Sequence, residues 1–220
     1  MYLAKAIIFD MDGLMFDTER LGLDAWVYTG KKMNLNITKE LALETVGVSW
    51  TLTKRIFFRE FNEFDFDNAQ AVWQEYINNY IEKNGIPIKP GLFDLLSFLE
   101  EIKLKKAIAT SSLHVGALFY LKKAGIDKRF NVVVTGEMVT HGKPAPDIYF
   151  RAAELLDVNP RECIVLEDSV SGIKAAHAAK MMPIMTPDLI AADKQIESLL
   201  YAKFDSLTDV IRLLKNLFIK

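Results

Sequence analysis

The stretch Ala4-Lys5-Ala6-Ile7-Ile8-Phe9-Asp10-Met11-Asp12-Gly13 decides how this chain is read. Ala4–Phe9 is a short apolar run suited to a buried strand. It stops abruptly at two acids, and Gly13 behind them permits a turn. The same texture recurs downstream. Lys106–Ala109 ends at Thr110-Ser111-Ser112, and Val132–Thr135 is a third run. Ile164–Leu166 ends at Glu167-Asp168. Met182–Met185 is a fifth, where Pro183 points to a sheet edge, and Phe204 closes a short sixth.

Segments of helical spacing separate these runs. Leu92, Leu95, Leu96, Leu99 and Ile102 repeat at three and four residues after Pro90-Gly91. Val115, Leu118, Phe119 and Leu121 precede Gly125, a suitable residue just past a helix end. Ile148–Leu156 stops before Asn159-Pro160, and Ser206 stands ahead of Val210, Leu213, Leu214 and Leu217. Continuously apolar strands alternating with helices predict an α/β fold with a parallel sheet covered on both faces.

Residues 16–86 break this rhythm and read as wholly helical. Val72, Trp73, Tyr76, Ile77, Tyr80 and Ile81 share one face of the clearest helix, with Asp67 as its expected cap. About 70 helical residues exceed what a strand-to-strand crossover needs. They are expected to form an inserted cap domain on a core made of residues 1–15 and 87–220. Phe16 and Ile86–Gly91 would be its hinges.

Composition narrows the function. The chain has 220 residues, half of them apolar, with 27 basic and 29 acidic side chains and a net charge of −2. Such a balance argues against nucleic-acid partners and anionic membranes. No run of about 20 apolar residues offers a membrane span, and the first residues do not resemble a signal peptide. The single cysteine, Cys163, lies in an apolar run and reads as a buried strand residue. A cytoplasmic location is expected, and a monomer.

The polar strand ends carry the chemistry. In a parallel sheet the C-terminal strand ends share one edge, where ligands bind. Asp10 and Asp12 repel each other unless a cation or proton intervenes. Glu167 and Asp168 add negative charge at another strand end. Such oxygen-rich sites suit Mg²⁺. Each acid alone could equally be a helix cap. Thr110 and Ser111 follow the second strand, where a hydroxyl and backbone N–H groups can seat a phosphate. Lys143 lies in Gly142-Lys143-Pro144-Ala145-Pro146-Asp147, a loop stiffened by two prolines. A rigidly held lysine can neutralise a phosphoryl group in transfer.

Taken in this order, the four pieces resemble the haloacid dehalogenase-like superfamily, in the β-phosphoglucomutase-like phosphatase branch of subfamily IA. Asp10-Met11-Asp12-Gly13, with Asp17-Thr18-Glu19 behind it, resembles the first motif. Thr110 matches the second, Lys143 the third, and Glu167-Asp168-Ser169-Val170-Ser171-Gly172 the fourth. The helical insertion is similar to the family's C1 cap, on a Rossmann-like core. The resemblance implies a Mg²⁺-dependent phosphatase acting on a small phosphorylated metabolite such as a sugar phosphate. Asp10 would be the nucleophile that forms an aspartyl-phosphate, and Asp12 the acid–base. Thr110, Ser111 and Lys143 would hold the phosphoryl oxygens. The metal would sit on Asp10, the Asp12 backbone carbonyl and Asp168, with Glu167 nearby.

Two departures bear on the alternative, a phosphosugar mutase. The resemblance places a His on the first cap helix where this chain has Gly22. It places an Arg after a Gly-Val-Ser turn where this chain has Trp50. Both changes remove groups suited to a second phosphate and favour hydrolysis. Glu19 and Trp50 are the expected cap-side substrate contacts, with simple packing an equal reading for Trp50. A non-enzymatic phospho-signalling or binding module is the remote alternative. The third strand argues against it, ending in Thr135-Gly136-Glu137 with no aspartate to accept a phosphoryl group.

Overall fold

The computed structural model describes residues 4–48 and 50–218. Ser49, in the turn before Trp50, lies outside the described residues. The chain forms two compact units: Asp17–Pro87, and the described parts of Met1–Phe16 with Ile88–Lys220.

The first strand, β1 (Ala6–Phe9), opens the larger unit. Four helices then make the smaller unit: α1 (Thr18–Met33), α2 (Lys39–Leu43), α3 (Trp50–Glu60) and α4 (Phe66–Asn84). The larger unit resumes with α5 (Leu92–Glu101), β2 (Lys105–Thr110), α6 (His114–Lys123), β3 (Val132–Thr135) and α7 (Asp147–Leu156). It ends with β4 (Cys163–Glu167), α8 (Val170–Ala178), β5 (Met182–Met185), α9 (Lys194–Glu197), β6 (Ala202–Lys203) and α10 (Leu207–Phe218).

The six strands form one parallel sheet in the order β3-β2-β1-β4-β5-β6. β1 is therefore central, and the order reverses direction around it. Its alternation divides the core. Ala6 and Ile8 pack with Ala107, Ala109, Val134 and Val165 beneath Tyr149, Ala152, Ala153 and Leu156 of α7 and Ala175 and Ala176 of α8. The alanines of β2 let α7 approach closely. On α5, Leu92, Leu95, Leu96, Phe98 and Leu99 are buried, each worth about 1.5–3 kcal/mol relative to exposure. Gly125, with φ 68°, follows the Ala124 end of α6, the left-handed position that favours glycine.

Pro183 does not mark the sheet edge. β5 is flanked by β4 and by the two-residue β6, which is the true edge. A strand residue points its N and its C=O to the same side. The Pro183 carbonyl accepts from Tyr201 N–H at 2.7 Å, so its missing donor faces the side where β6 has not yet begun. The ladder to β4 loses nothing.

The smaller unit is built around aromatic rings. Trp26, Phe57, Phe64 and Phe66 are buried with Ile37, Ala42 and Ala69. Asp65, not Asp67, caps α4, its side chain accepting from Asn68 N–H at 3.1 Å. The buried line of α4 is Phe66, Ala69, Val72, Ile77 and Ile81. Tyr80 is exposed, and Tyr76 packs on Tyr28 at 4.9 Å. The aromatic stripe read from sequence is therefore wider than the buried face. Among the described residues no helix is long and apolar enough to cross a membrane.

Candidate active site

The register of β1 brings its end level with two neighbours. Phe9 stands opposite both Ile108 of β2 and Leu166 of β4. The residues that follow these strands therefore gather at one height. Asp10 N–H donates to Leu166 O at 3.0 Å, which fixes Asp10 beside Glu167. Gly13 takes φ 80°, a turn conformation open to glycine, and its N–H closes on Phe16 O at 2.9 Å.

Lys143 arrives from the loop before α7. Its side chain is only 5% exposed, and its ammonium donates to Asp10 Oδ1, to Glu167 Oε1 at 2.6 Å and to Ala109 O at 3.0 Å. All three of its donors are used, and it lies 5.2 Å from the centre of the Tyr149 ring. This lysine is a fixed charge inside the site rather than a solvated loop residue.

Glu167 is fully buried and heavily bonded. Oε1 accepts from Lys143 and from Tyr149 OH at 2.7 Å. Oε2 accepts from Asp168 N–H at 3.1 Å and from the N–H and the hydroxyl of Ser169, each at 3.0 Å. Ser169 Oγ also accepts from Gly172 N–H at 3.1 Å and so caps α8. The carboxylate fits only because residue 172 is glycine. A Cβ there would lie 1.7 Å from Glu167 Oε1 and 1.9 Å from its Cδ.

These surroundings separate two neighbouring carboxylates. Burial pushes the Asp10 carboxyl up to about 7, against the pull of Lys143 and with the repulsion of Glu167 added. Burial would also raise Glu167, but Lys143 and the surrounding donors outweigh it and hold that carboxyl below its usual range. The difference follows from donor number: Glu167 accepts five hydrogen bonds. Burial disfavours the Lys143 cation, yet Asp10 and Glu167 together hold it well above the ordinary lysine range. Burial and Glu167 keep the Tyr149 hydroxyl protonated, as a donor must be.

Carboxylate oxygens of Asp10, Glu167 and Asp168 lie within 4.8 Å of one another. Three hard oxygen donors this close suit a small divalent cation such as Mg²⁺. Because Glu167 is already saturated with donors, Asp10 and Asp168 are the side chains better suited to ligation, and Glu167 holds Lys143. Asp12 faces different company. Its Oδ2 accepts from Ser112 Oγ at 2.7 Å and from Thr110 Oγ1 at 3.5 Å. Thr110 is buried, and its hydroxyl accepts from Ser112 N–H at 3.0 Å.

The structure thus gathers Asp10, Asp12, Thr110, Lys143, Glu167 and Asp168 from three strand ends and one loop. Ser111 is exposed, and its carbonyl faces Gly136, where a Cβ would come within 2.7 Å. α6 begins at His114, behind Leu113, so Ser111 and Ser112 lie in the loop between β2 and the helix. Glu19 and Trp50 belong to the smaller unit. Glu19 lies in the first turn of α1. Trp50 packs edge-on against Trp73 at 5.2 Å, Phe66 at 6.1 Å and Trp26 at 6.2 Å. Sequence reasoning gave no role to Ser112, Tyr149, Ser169 or Gly172. Ser169 was legible as a helix cap; Tyr149 carried no signal, being one aromatic among the apolar residues of α7.

Comparison with known proteins fits this geometry. Residues 4–180 match the family described as haloacid dehalogenase-like hydrolase. A phosphorylated carbohydrates phosphatase of Thermotoga maritima is 31% identical over 184 residues, covering 80% of this chain and 81% of that protein. The beta-phosphoglucomutase of Bacillus subtilis is 28% identical over 191 residues, covering 82% of each. A solved Thermotoga maritima structure, of a protein called a "putative beta-phosphoglucomutase", superposes with a TM-score of 0.82 at 28% identity, covering 96% of this chain and 99% of that one. The phosphatase relative supports phosphoric monoesters as the bonds cleaved, and the match over residues 4–180 settles the family: this chain belongs to the haloacid dehalogenase-like hydrolases.

Proposed function

We propose that this chain is a Mg²⁺-dependent phosphatase that hydrolyses a small phosphorylated carbohydrate through an aspartyl-phosphate on Asp10. The observation that carries the reading is the unlike setting of Asp10 and Asp12. Asp10 meets Lys143 and the acidic cluster, whereas Asp12 is held by hydroxyls. One carboxylate is thereby suited to attack phosphorus and the other to move a proton.

In the first step an Asp10 carboxylate oxygen bonds to phosphorus as the ester P–O bond breaks. Asp12 gives its proton to the departing alkoxide, so the alcohol leaves neutral. In the second step Asp12 takes a proton from water, and the resulting oxygen attacks phosphorus. The Asp10–phosphate bond breaks, and phosphate leaves. Lys143 neutralises charge on the phosphoryl oxygens, as Thr110 and the Ser111 N–H would by hydrogen bonding. Mg²⁺, held by Asp10, the Asp12 carbonyl and Asp168, would supply further charge neutralisation.

Residues 16–86 are proposed as the substrate-selecting cap. Hydrolysis is favoured over phosphosugar isomerisation by one contact in that unit. A Cβ on residue 22 would meet Trp73 Cζ2 at 3.3 Å, and Trp73 Nε1 donates to Gly22 O at 3.0 Å. Trp73 takes the room a side chain at 22 would need. Glu19 and Trp50 remain the proposed substrate contacts of the cap, and a cytoplasmic monomer its proposed form.

The test is a screen of sugar and sugar-alcohol monophosphates with Mg²⁺, followed by release of inorganic phosphate. Release from one or more of them, lost in Asp10→Asn, is expected. Isomerised sugar phosphate without phosphate release would overturn the reading.

A further inference from the structure

We infer that the N-terminal edge of the sheet carries a second anion site, built for a small phosphate-bearing ligand. A cavity of about 440 Å³ opens there, lined by Lys103, Lys105, Lys106, Lys128 and Arg129 with one carboxylate, Glu100. Five cations against one anion leave a local surplus of four positive charges in a chain whose net charge is −2. The site lies at the start of β2, whereas Asp12 meets Thr110 at its end. Five residues of strand, roughly 17 Å, separate the two. The inference does not depend on the reaction proposed for Asp10.

The cavity floor is preorganised. Lys106 is nearly buried, and its ammonium donates to Glu100 Oε1 at 2.9 Å. Arg129 donates to the same carboxylate through Nε at 2.9 Å and Nη2 at 2.8 Å, and to Ser97 Oγ at 3.1 Å. Two cations thus share one anion, and they hold the Glu100 carboxyl down at about 2. Lys105 donates to Leu156 O at 2.6 Å, a carbonyl at the C-terminal end of α7 that carries only a partial charge. Lys103 and Lys128 are exposed and have no ion-pair partner among the described residues.

A phosphate group answers this arrangement better than a carboxylate. It brings more than one negative charge and three accepting oxygens to several ammonium groups. Leu104 and Phe130 add apolar wall, and Asn131 adds an amide whose oxygen accepts from Lys106 N–H at 2.9 Å. The volume falls within the range of about 300–1,000 Å³ typical of small-molecule sites.

Inorganic phosphate, titrated in Mg²⁺ buffer and followed by amide NMR shifts, tests this. Saturable shifts are expected at Lys103–Lys106 and Lys128–Asn131, distinct from any at residues 10–13. The double variant Lys103→Glu, Lys128→Glu should weaken that binding by about tenfold or more. Its aryl phosphate hydrolysis should be unchanged. Lys103→Gln with Lys128→Gln repeats the measurement should charge reversal unfold the protein. Binding unaltered in the folded variant, or shifts that chloride reproduces at matched ionic strength, would overturn the inference.

Discussion

Ser112 donates its hydroxyl proton to Asp12 Oδ2 at 2.7 Å, from a loop a hundred residues away in sequence. The contact fixes where the proposed acid–base points. It also spares Asp12 from the crowded carboxylate cluster two residues before it. Ser112→Ala should therefore damage proton transfer more than phosphoryl attack. We expect kcat to fall about tenfold on an alkyl phosphate, whose leaving group needs a proton. Aryl phosphates, with better leaving groups, should lose much less. Comparing kcat for the two substrate types in the variant checks this, and equal losses would contradict it.

Asp10 and Asp12 should separate in a second comparison. Asp10→Asn removes the nucleophile and leaves Lys143 short of one anion, so turnover should vanish. Asp12→Ala should retain divalent-ion binding while slowing hydrolysis by about 10²–10⁴-fold. Calorimetric Mg²⁺ titration alongside steady-state rates distinguishes the two losses.

Gly172 should prove structurally demanding although it touches no substrate. Its replacement by Ala drives a Cβ into Glu167, whose carboxylate is held where it stands by five hydrogen bonds. Displacing it breaks the Lys143–Glu167 pair, leaving Lys143 only Asp10 and the Ala109 carbonyl, and takes the acceptor from the Tyr149 hydroxyl. Breaking a buried ion pair in this way costs about 3–5 kcal/mol. Denaturant unfolding should register most of that loss, and a shift below about 1 kcal/mol would rule the steric account out.

The position of Asp10 predicts a pH-dependent metal affinity. Its carboxyl is raised to about 7 by burial, and a cation binds only the ionised form. Above about pH 7 the group is already charged and the affinity should be level. Below it each bound ion must displace a proton, so affinity should fall by about tenfold per pH unit. Mg²⁺ titrations at pH 8, 7 and 6 measure the slope, and equal affinity at pH 8 and 6 would contradict a proton displaced from Asp10 on binding.

Cys163 should resist thiol reagents in the folded protein. Burial, with the charge of Glu162 nearby, pushes its thiol up to about 12, and the side chain lies inside the sheet core. The thiolate that reagents attack is therefore scarce. A colorimetric thiol assay should read near zero until denaturant is added.

Much of this protein was legible in its sequence because the period of apolar residues encodes which face is buried. The run before Asp10, the alternation of strands with helices and the polar residues at strand ends needed no coordinates to be read. Helical spacing and the length of the segment also set residues 16–86 apart as an expected insertion. What periodicity does not encode is which strand lies beside which. Pro183 looked like an edge residue because a missing donor is visible in sequence, whereas the side it faces depends on where β6 starts. The cap of α4 moved from Asp67 to Asp65 because several polar residues there could each fill that position. Tyr149, Ser112 and Gly172 gained their roles only when β1 drew Asp10 between β2 and β4. Sequence supplied the acids and the lysine. The tertiary structure decided that Lys143 would be shared by Asp10 and Glu167 while Asp12 turned to Ser112, because contacts between residues a hundred positions apart are set by topology and register rather than by local propensity.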